Sequence, residues 1–139
     1  MMNEYLKTNN FLTIIFWGDD VRFLIVDDSN LSRQKLRGMI TELGYEVVGE
    51  AKDGLEAIDL IDKLNPTYIT MDLEMPNMKG DAASKIILEK NNKINIILIT
   101  SIINQKEIIN ALRIGVKKFL QKPFTLDKFK TIIEEIKAK

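Results

Sequence analysis

Histidine and cysteine are both absent from this chain. Without cysteine there are no disulfides and no thiolate metal ligands, which fits a reducing, cytoplasmic setting. Without histidine, Ser-His and Cys-His nucleophile pairs and most zinc sites are excluded, and no phosphohistidine can form on this polypeptide. Any phosphate chemistry here has to use carboxylates, hydroxyls and lysine. Proline and glycine are sparse, 3 and 7 of 139 residues, so there is no collagen-like or disordered character. Neither sign of charge predominates: Lys+Arg and Asp+Glu number 20 each. A zero balance gives no electrostatic footprint for nucleic acid or anionic membrane. Direct nucleic-acid binding is therefore not expected. Nor is membrane insertion, because the apolar segment Phe11 to Trp17 falls far short of the roughly 20 residues that span a bilayer.

The residues present are those of a globular domain, 45% hydrophobic and 29% charged. From residue 22 onward, short apolar runs alternate with amphipathic helical patterns. Strands are expected near 22–27, 46–51, 68–72, 95–100 and 117–121, and helices near 30–43, 54–64, 80–91, 104–114 and 126–138. The runs at 68–72 and 95–100 are almost continuously apolar, as in strands covered on both faces. Such alternation builds βαβ units and a parallel sheet, an α/β fold. The punctuation agrees. Asp53 with Glu56 has capping-box spacing, and Gly44 and Gly115 stand where left-handed helix caps belong.

Four strand ends carry chemistry. Phe23-Leu24-Ile25-Val26 stops at Asp27-Asp28, Tyr68-Ile69-Thr70-Met71 stops at Asp72, Asn95 to Ile99 stops at Thr100, and Lys117 to Gln121 is followed by Lys122-Pro123. Ligands of open α/β sheets bind at the carboxyl edge of the strands. Taken singly, each residue has an ordinary explanation: a helix cap for Asp28, a β-branched strand residue for Thr100, a solvated loop lysine for Lys122. Together they make a site for a divalent cation and a phosphoryl group. Asp can attack phosphorus to form an aspartyl phosphate. Mg²⁺ prefers oxygen ligands and usually takes one or two carboxylates while keeping several waters, and Asp27, Asp28 and Asp72 supply the right chemistry to hold it.

The first 21 residues stand outside the alternation. They form an N-terminal arm, 1–21, ahead of a domain at 22–139. Two readings are open for its apolar run Phe11–Trp17: packing on its own domain, which is slightly favoured, or self-association with a second copy or a partner. Asp19-Asp20 lacks a strand-helix frame and is read as a solvated pair.

The segments Val26-Asp27-Asp28-Ser29, Ala51 to Ala57, Met71 to Gly80, Ile99-Thr100-Ser101 and Lys122-Pro123-Phe124 resemble the receiver domain of bacterial response regulators, in order, over residues 22 to 139. The resemblance implies a doubly wound five-stranded parallel sheet in the flavodoxin-like order 2-1-3-4-5, with helices on both faces. It implies that Asp72 accepts phosphate from a partner histidine kinase or phosphotransfer protein. Asp28 then looks like a direct Mg²⁺ ligand, Asp27 a ligand acting mostly through water, and Glu74 the residue whose backbone carbonyl completes the metal shell. Thr100 looks like the switch hydroxyl, Phe119 the aromatic rotamer switch, and Lys122 the phosphate-pairing lysine ahead of a commonly cis bond. Phe119 stands where Tyr is frequent, and Ile102 where a polar residue is frequent. With Glu74, Ile102 borders the path of the water that hydrolyses the acyl phosphate. The arm has no counterpart in the family pattern.

The expected function is a stand-alone receiver that signals, in chemotaxis style, to a downstream protein target through the face at residues 104–139. It is not an enzyme beyond its own phosphoryl transfer and dephosphorylation. The alternative is a single-domain phosphorelay intermediate or phosphate sink. Ranked below these are a small Mg²⁺-dependent aspartyl-phosphate hydrolase, which lacks a cap domain here, and a receiver-like module that no longer takes phosphate.

Overall fold

The computed structural model describes residues 20–139. Five parallel strands and five helices alternate: β1 Arg22–Val26, α1 Asn30–Glu42, β2 Glu46–Ala51, α2 Gly54–Leu64, β3 Tyr68–Asp72, α3 Gly80–Lys90, β4 Asn95–Thr100, α4 Gln105–Ile114, β5 Lys118–Gln121 and α5 Leu126–Lys137. The strand order is β2-β1-β3-β4-β5. Chain reversal between the β1-β2 and β3-β4-β5 halves leaves a crevice above β1 and β3, where ligands of such sheets bind.

The two-residue period of the strands divides the core. Leu24 and Val26 face one way, onto Ala57 and Ile61 of α2, Ala83 and Ile87 of α3 and Ala111 of α4. Phe23 and Ile25 face the other way, onto Leu36 and Ile40 of α1 and Phe129, Ile132 and Ile133 of α5. Every residue of β3 is buried, because helices cover both faces of the central strand. Burying a large apolar side chain is worth roughly 1.5–3 kcal/mol. These two layers therefore hold the sheet, and its carboxyl edge is left for polar residues.

Short side chains start the helices. Ser29 Oγ accepts from the Ser32 N–H, Asp53 from Glu56, Asn104 from Glu107 and Thr125 from Lys128. The expected capping box at Asp53 is modified: Glu56 Oε1 accepts from the Lys52 N–H at 2.8 Å, one residue ahead of the cap. Gly44 and Gly115 take positive φ, 87° and 116°, at the expected helix ends. Gly80 is required for a different reason. A Cβ there would lie 2.2 Å from the Asp72 carbonyl oxygen, so α3 can start against the end of β3 only without a side chain.

Residues 1–19 of the arm, including Phe11–Trp17, lie outside the described residues, as does Asp19. Val21, placed at the end of the arm, is buried with Phe23 and Tyr68 in the α1/α5 layer. Asp20, read as one of a solvated pair, is exposed. Its carboxylate sits 3.2 Å from Arg22 Nε while remaining 44% exposed.

Candidate metal and phosphoryl site

The acids meet where β1 and β3 end side by side. Asp27, Asp28 and Asp72 each present a carboxylate oxygen, and these oxygens lie within 4.8 Å of one another. Asp27 and Asp72 are buried, at 6% and 7% exposure, while Asp28 faces solvent. Asp27 is held firmly: its N–H donates to the Ala51 carbonyl at 3.0 Å, and its Oδ1 accepts from the Ser29 N–H at 2.8 Å. The cap of α1 is Ser29 rather than Asp28, which leaves the Asp28 carboxylate free of that duty.

Lys122 reaches the same cluster from the end of β5. Its Nζ lies 3.3 Å from Asp27 Oδ2 and 3.7 Å from Asp72 Oδ2. The Lys122–Pro123 bond is cis. Burial pushes the Asp72 carboxyl up from its ordinary 3.8 to about 6. Lys122 opposes the rise, Asp27 and Asp28 add to it, and a hydrogen bond from the Glu74 N–H works against it. Three carboxylates and one ammonium leave two negative charges, the complement of one dication. All the donors are hard oxygens, the set that suits Mg²⁺. Beside the acids a cavity of about 430 Å³ opens between α1 and the loop from β5 to α5, lined by Lys35, Leu36, Met39 and Phe124 as well as Asp27 and Lys122.

The Thr100 hydroxyl bonds outside the acidic cluster, and Phe119 packs in the other core layer. Strand parity explains it. Asp27, Asp72 and Lys122 continue the alternation that faces α1 and α5, whereas Thr100 and Phe119 fall on the alternation that faces α3 and α4. The buried Thr100 hydroxyl lies 3.1 Å from Glu74 Oε1 and 2.9 Å from the Ile102 carbonyl, and it accepts from the Ile102 N–H at 3.2 Å. Phe119 is half-buried against the same layer. Glu74, two residues past Asp72, donates its N–H toward Asp72 Oδ1 at 3.4 Å and turns its carboxylate to Thr100 and Lys79. Lys79 also pairs with Glu107 of α4. A continuous polar path thus joins Thr100 to α4 through Glu74, Lys79 and Glu107.

Sequence reasoning missed Lys79, Glu107, Arg33 and Glu50. Charged helix and loop residues are ordinarily solvated, and their partners here lie 17 or 28 positions away. The one local signal was Arg33, four residues after the cap Ser29, on the turn of α1 nearest the acids.

The response regulator receiver domain family matches residues 23–134 of the chain. The chain belongs to that family. The chemotaxis protein CheY of Thermotoga maritima is 42% identical over 103 residues, covering 74% of this chain and 86% of that one. Its namesake in Bacillus subtilis is 36% identical over 107 residues, 77% of this chain and 89% of that one. Among solved structures, the CheX–CheY–BeF3–Mg²⁺ complex of Borrelia burgdorferi superposes with a TM-score of 0.82 at 27% identity, covering 86% of this receiver and 90% of that chain. The response regulator domain of Thermotoga maritima CheB does so at 0.71 and 37% identity, with coverage of 85% and 92%. The chain is a response regulator receiver of the chemotaxis-protein type, and its acidic cluster could hold a metal ion. Among the described residues no helix is long and apolar enough to cross a membrane.

Proposed function

We propose that this receiver is a phosphorylation switch with Asp72 as the acceptor, Asp27, Asp28 and Asp72 as the side-chain ligands of Mg²⁺, and Lys122 as the cation that pairs with the incoming phosphoryl group. The observation that carries this reading is the convergence of three carboxylates and one ammonium at the ends of β1, β3 and β5. A structural relative from Borrelia burgdorferi was solved as a complex with BeF3 and Mg²⁺, which supports Mg²⁺-dependent phosphoryl chemistry in this fold. Bound Mg²⁺ would neutralise charge on the phosphoryl oxygens, with the Glu74 backbone carbonyl as a further ligand. An Asp72 carboxylate oxygen attacks phosphorus, forming a P–O bond. The P–N bond of a phosphohistidine donor breaks, and its electron pair stays on the imidazole nitrogen. Lys122 then shifts its pairing from the carboxylates to the new phosphoryl oxygens.

Phosphorylation replaces the single carboxylate charge of Asp72 by a phosphoryl group of about −1.5 to −2 with three acceptor oxygens. Thr100 leaves Glu74 for those oxygens, and Phe119 turns inward to fill the space it vacates. Movement of Glu74 and Lys79 loosens the pair to Glu107, so α4 and the face at residues 104–139 change for a downstream protein. A histidine kinase or phosphotransfer protein is the donor, and the setting is cytoplasmic. Intact-mass measurement after incubation with Mg²⁺ and a small acyl phosphate tests the reading. One labile phosphate per chain, absent when Mg²⁺ is chelated, is expected. No adduct would overturn it, and sustained turnover of phosphomonoesters would replace it with a hydrolase.

A further inference from the structure

Arg33 lies on the first turn of α1, outside the acidic cluster, yet its guanidinium is the group that fixes the cluster's main chain. Its Nη1 donates to the Asp27 carbonyl at 2.6 Å, its Nε to Glu50 Oε1 at 2.9 Å, and its Nη2 to Asn30 Oδ1 at 3.3 Å. The side chain is only 17% exposed. With the N–H of Asp27 bound to Ala51 and its Oδ1 bound by Ser29, the Arg33 bond completes the restraint of the turn that presents Asp27 and Asp28. Glu50, on β2, aims the fork: its other oxygen accepts from Arg37 Nε at 2.7 Å. Burial works to raise the Glu50 carboxyl, but hydrogen bonds and charge from Arg37 and Arg33 outweigh it and hold the group below its ordinary value. It stays an anion, and it neutralises Arg33.

We propose that Arg33 is a positioning residue of the metal site, clamping the Asp27 carbonyl so that the Asp27 and Asp28 carboxylates are preset for Mg²⁺. The inference rests on the metal-site reading above. A planar fork with several fixed donors can hold a carbonyl and a carboxylate at once, whereas an ammonium serves as a point charge. Groups that orient metal ligands typically contribute about 10–100-fold to affinity. The sign separates the clamp from simple electrostatics. Removing a cation beside a dication site would tighten binding by relieving repulsion, whereas removing a clamp weakens it.

Calorimetric titration of the full chain with MgCl2 tests this, with circular dichroism and urea unfolding run alongside. Arg33→Ala is expected to bind Mg²⁺ about tenfold more weakly. Arg37→Ala removes a neighbouring cation that also pairs with Glu50 but does not touch Asp27, and is expected to weaken Mg²⁺ binding clearly less than Arg33→Ala does; an equal or larger loss would overturn the clamp. Arg33→Lys, which keeps the charge and loses the fork, is expected to weaken binding as well. It serves as the deciding variant should Arg33→Ala fail to fold. Unchanged or tighter binding in a folded Arg33 variant would overturn the clamp. Absence of Mg²⁺ binding by the unaltered chain would instead overturn the metal-site reading, and the clamp with it.

Discussion

The Lys122 ammonium bridges two carboxylates of different strands, 3.3 Å from Asp27 and 3.7 Å from Asp72. It is the one cation among the described residues paired with the acidic cluster, and it holds the Asp72 carboxyl lower than burial alone would put it. Lys122→Met should therefore raise the Asp72 pKa above about 6. A rise of about one unit is expected for loss of an opposite charge at this range. Carbon-detected NMR titration of the Asp72 carboxyl measures it, and the same variant should take up phosphate far more slowly.

The raised Asp72 pKa has a consequence for stability. A carboxyl near 6 in the folded chain and near 3.8 when unfolded binds more protons in the native state between those values. Its contribution to stability is fully present below about pH 4 and is lost as pH rises through about 6. The shift corresponds to about 3 kcal/mol at most. In the absence of divalent cations, Asp72→Asn should thus gain stability over the unaltered chain at pH 7, and less at pH 4. Mg²⁺ should shrink the difference. Paired urea titrations at the two pH values read it directly.

Thr100 is engaged with Glu74 and Ile102 rather than with the acids. Thr100→Val keeps the shape and removes the hydroxyl. The variant should still accept phosphate on Asp72, because none of Asp27, Asp28 and Asp72 is hydrogen-bonded to Thr100. Its α4 and α5 amide resonances should move less on phosphorylation than those of the unaltered chain. Equal movement in the two proteins would remove Thr100 from the switch.

Gly80 lies against the main chain of Asp72, where a Cβ would stand 2.2 Å from the carbonyl oxygen. Relief requires moving either the start of α3 or the end of β3. Gly80→Ala should cost about 1–3 kcal/mol in urea unfolding. Because the strain falls on the acceptor's own peptide, Mg²⁺ affinity should fall too.

The alternating pattern made most of this fold legible. Strands that end at or just before Asp27, Asp72 and Thr100 were readable because apolar runs stop abruptly at polar residues, and Gly44 and Gly115 marked helix ends. Strand order came from the family resemblance. What stayed hidden depends on side-chain reach between segments distant in sequence. Glu50 is one alternating residue of an edge strand, and nothing local tells that two arginines of α1 converge on it. Thr100 could be placed at the right edge, but its tie to Glu74 depends on how the loop after β3 folds back. The capping box failed by one residue because Glu56 reached past the cap to Lys52.

Reductive trapping of the phosphorylated chain tests the central assignment most directly. Borohydride converts an aspartyl phosphate to homoserine, which peptide mass spectrometry then locates. The expected result is homoserine at position 72 alone, and none after Asp72→Asn. Conversion at Asp27 or Asp28 in the unaltered chain, or a phosphate that survives in Asp72→Asn, would contradict the account.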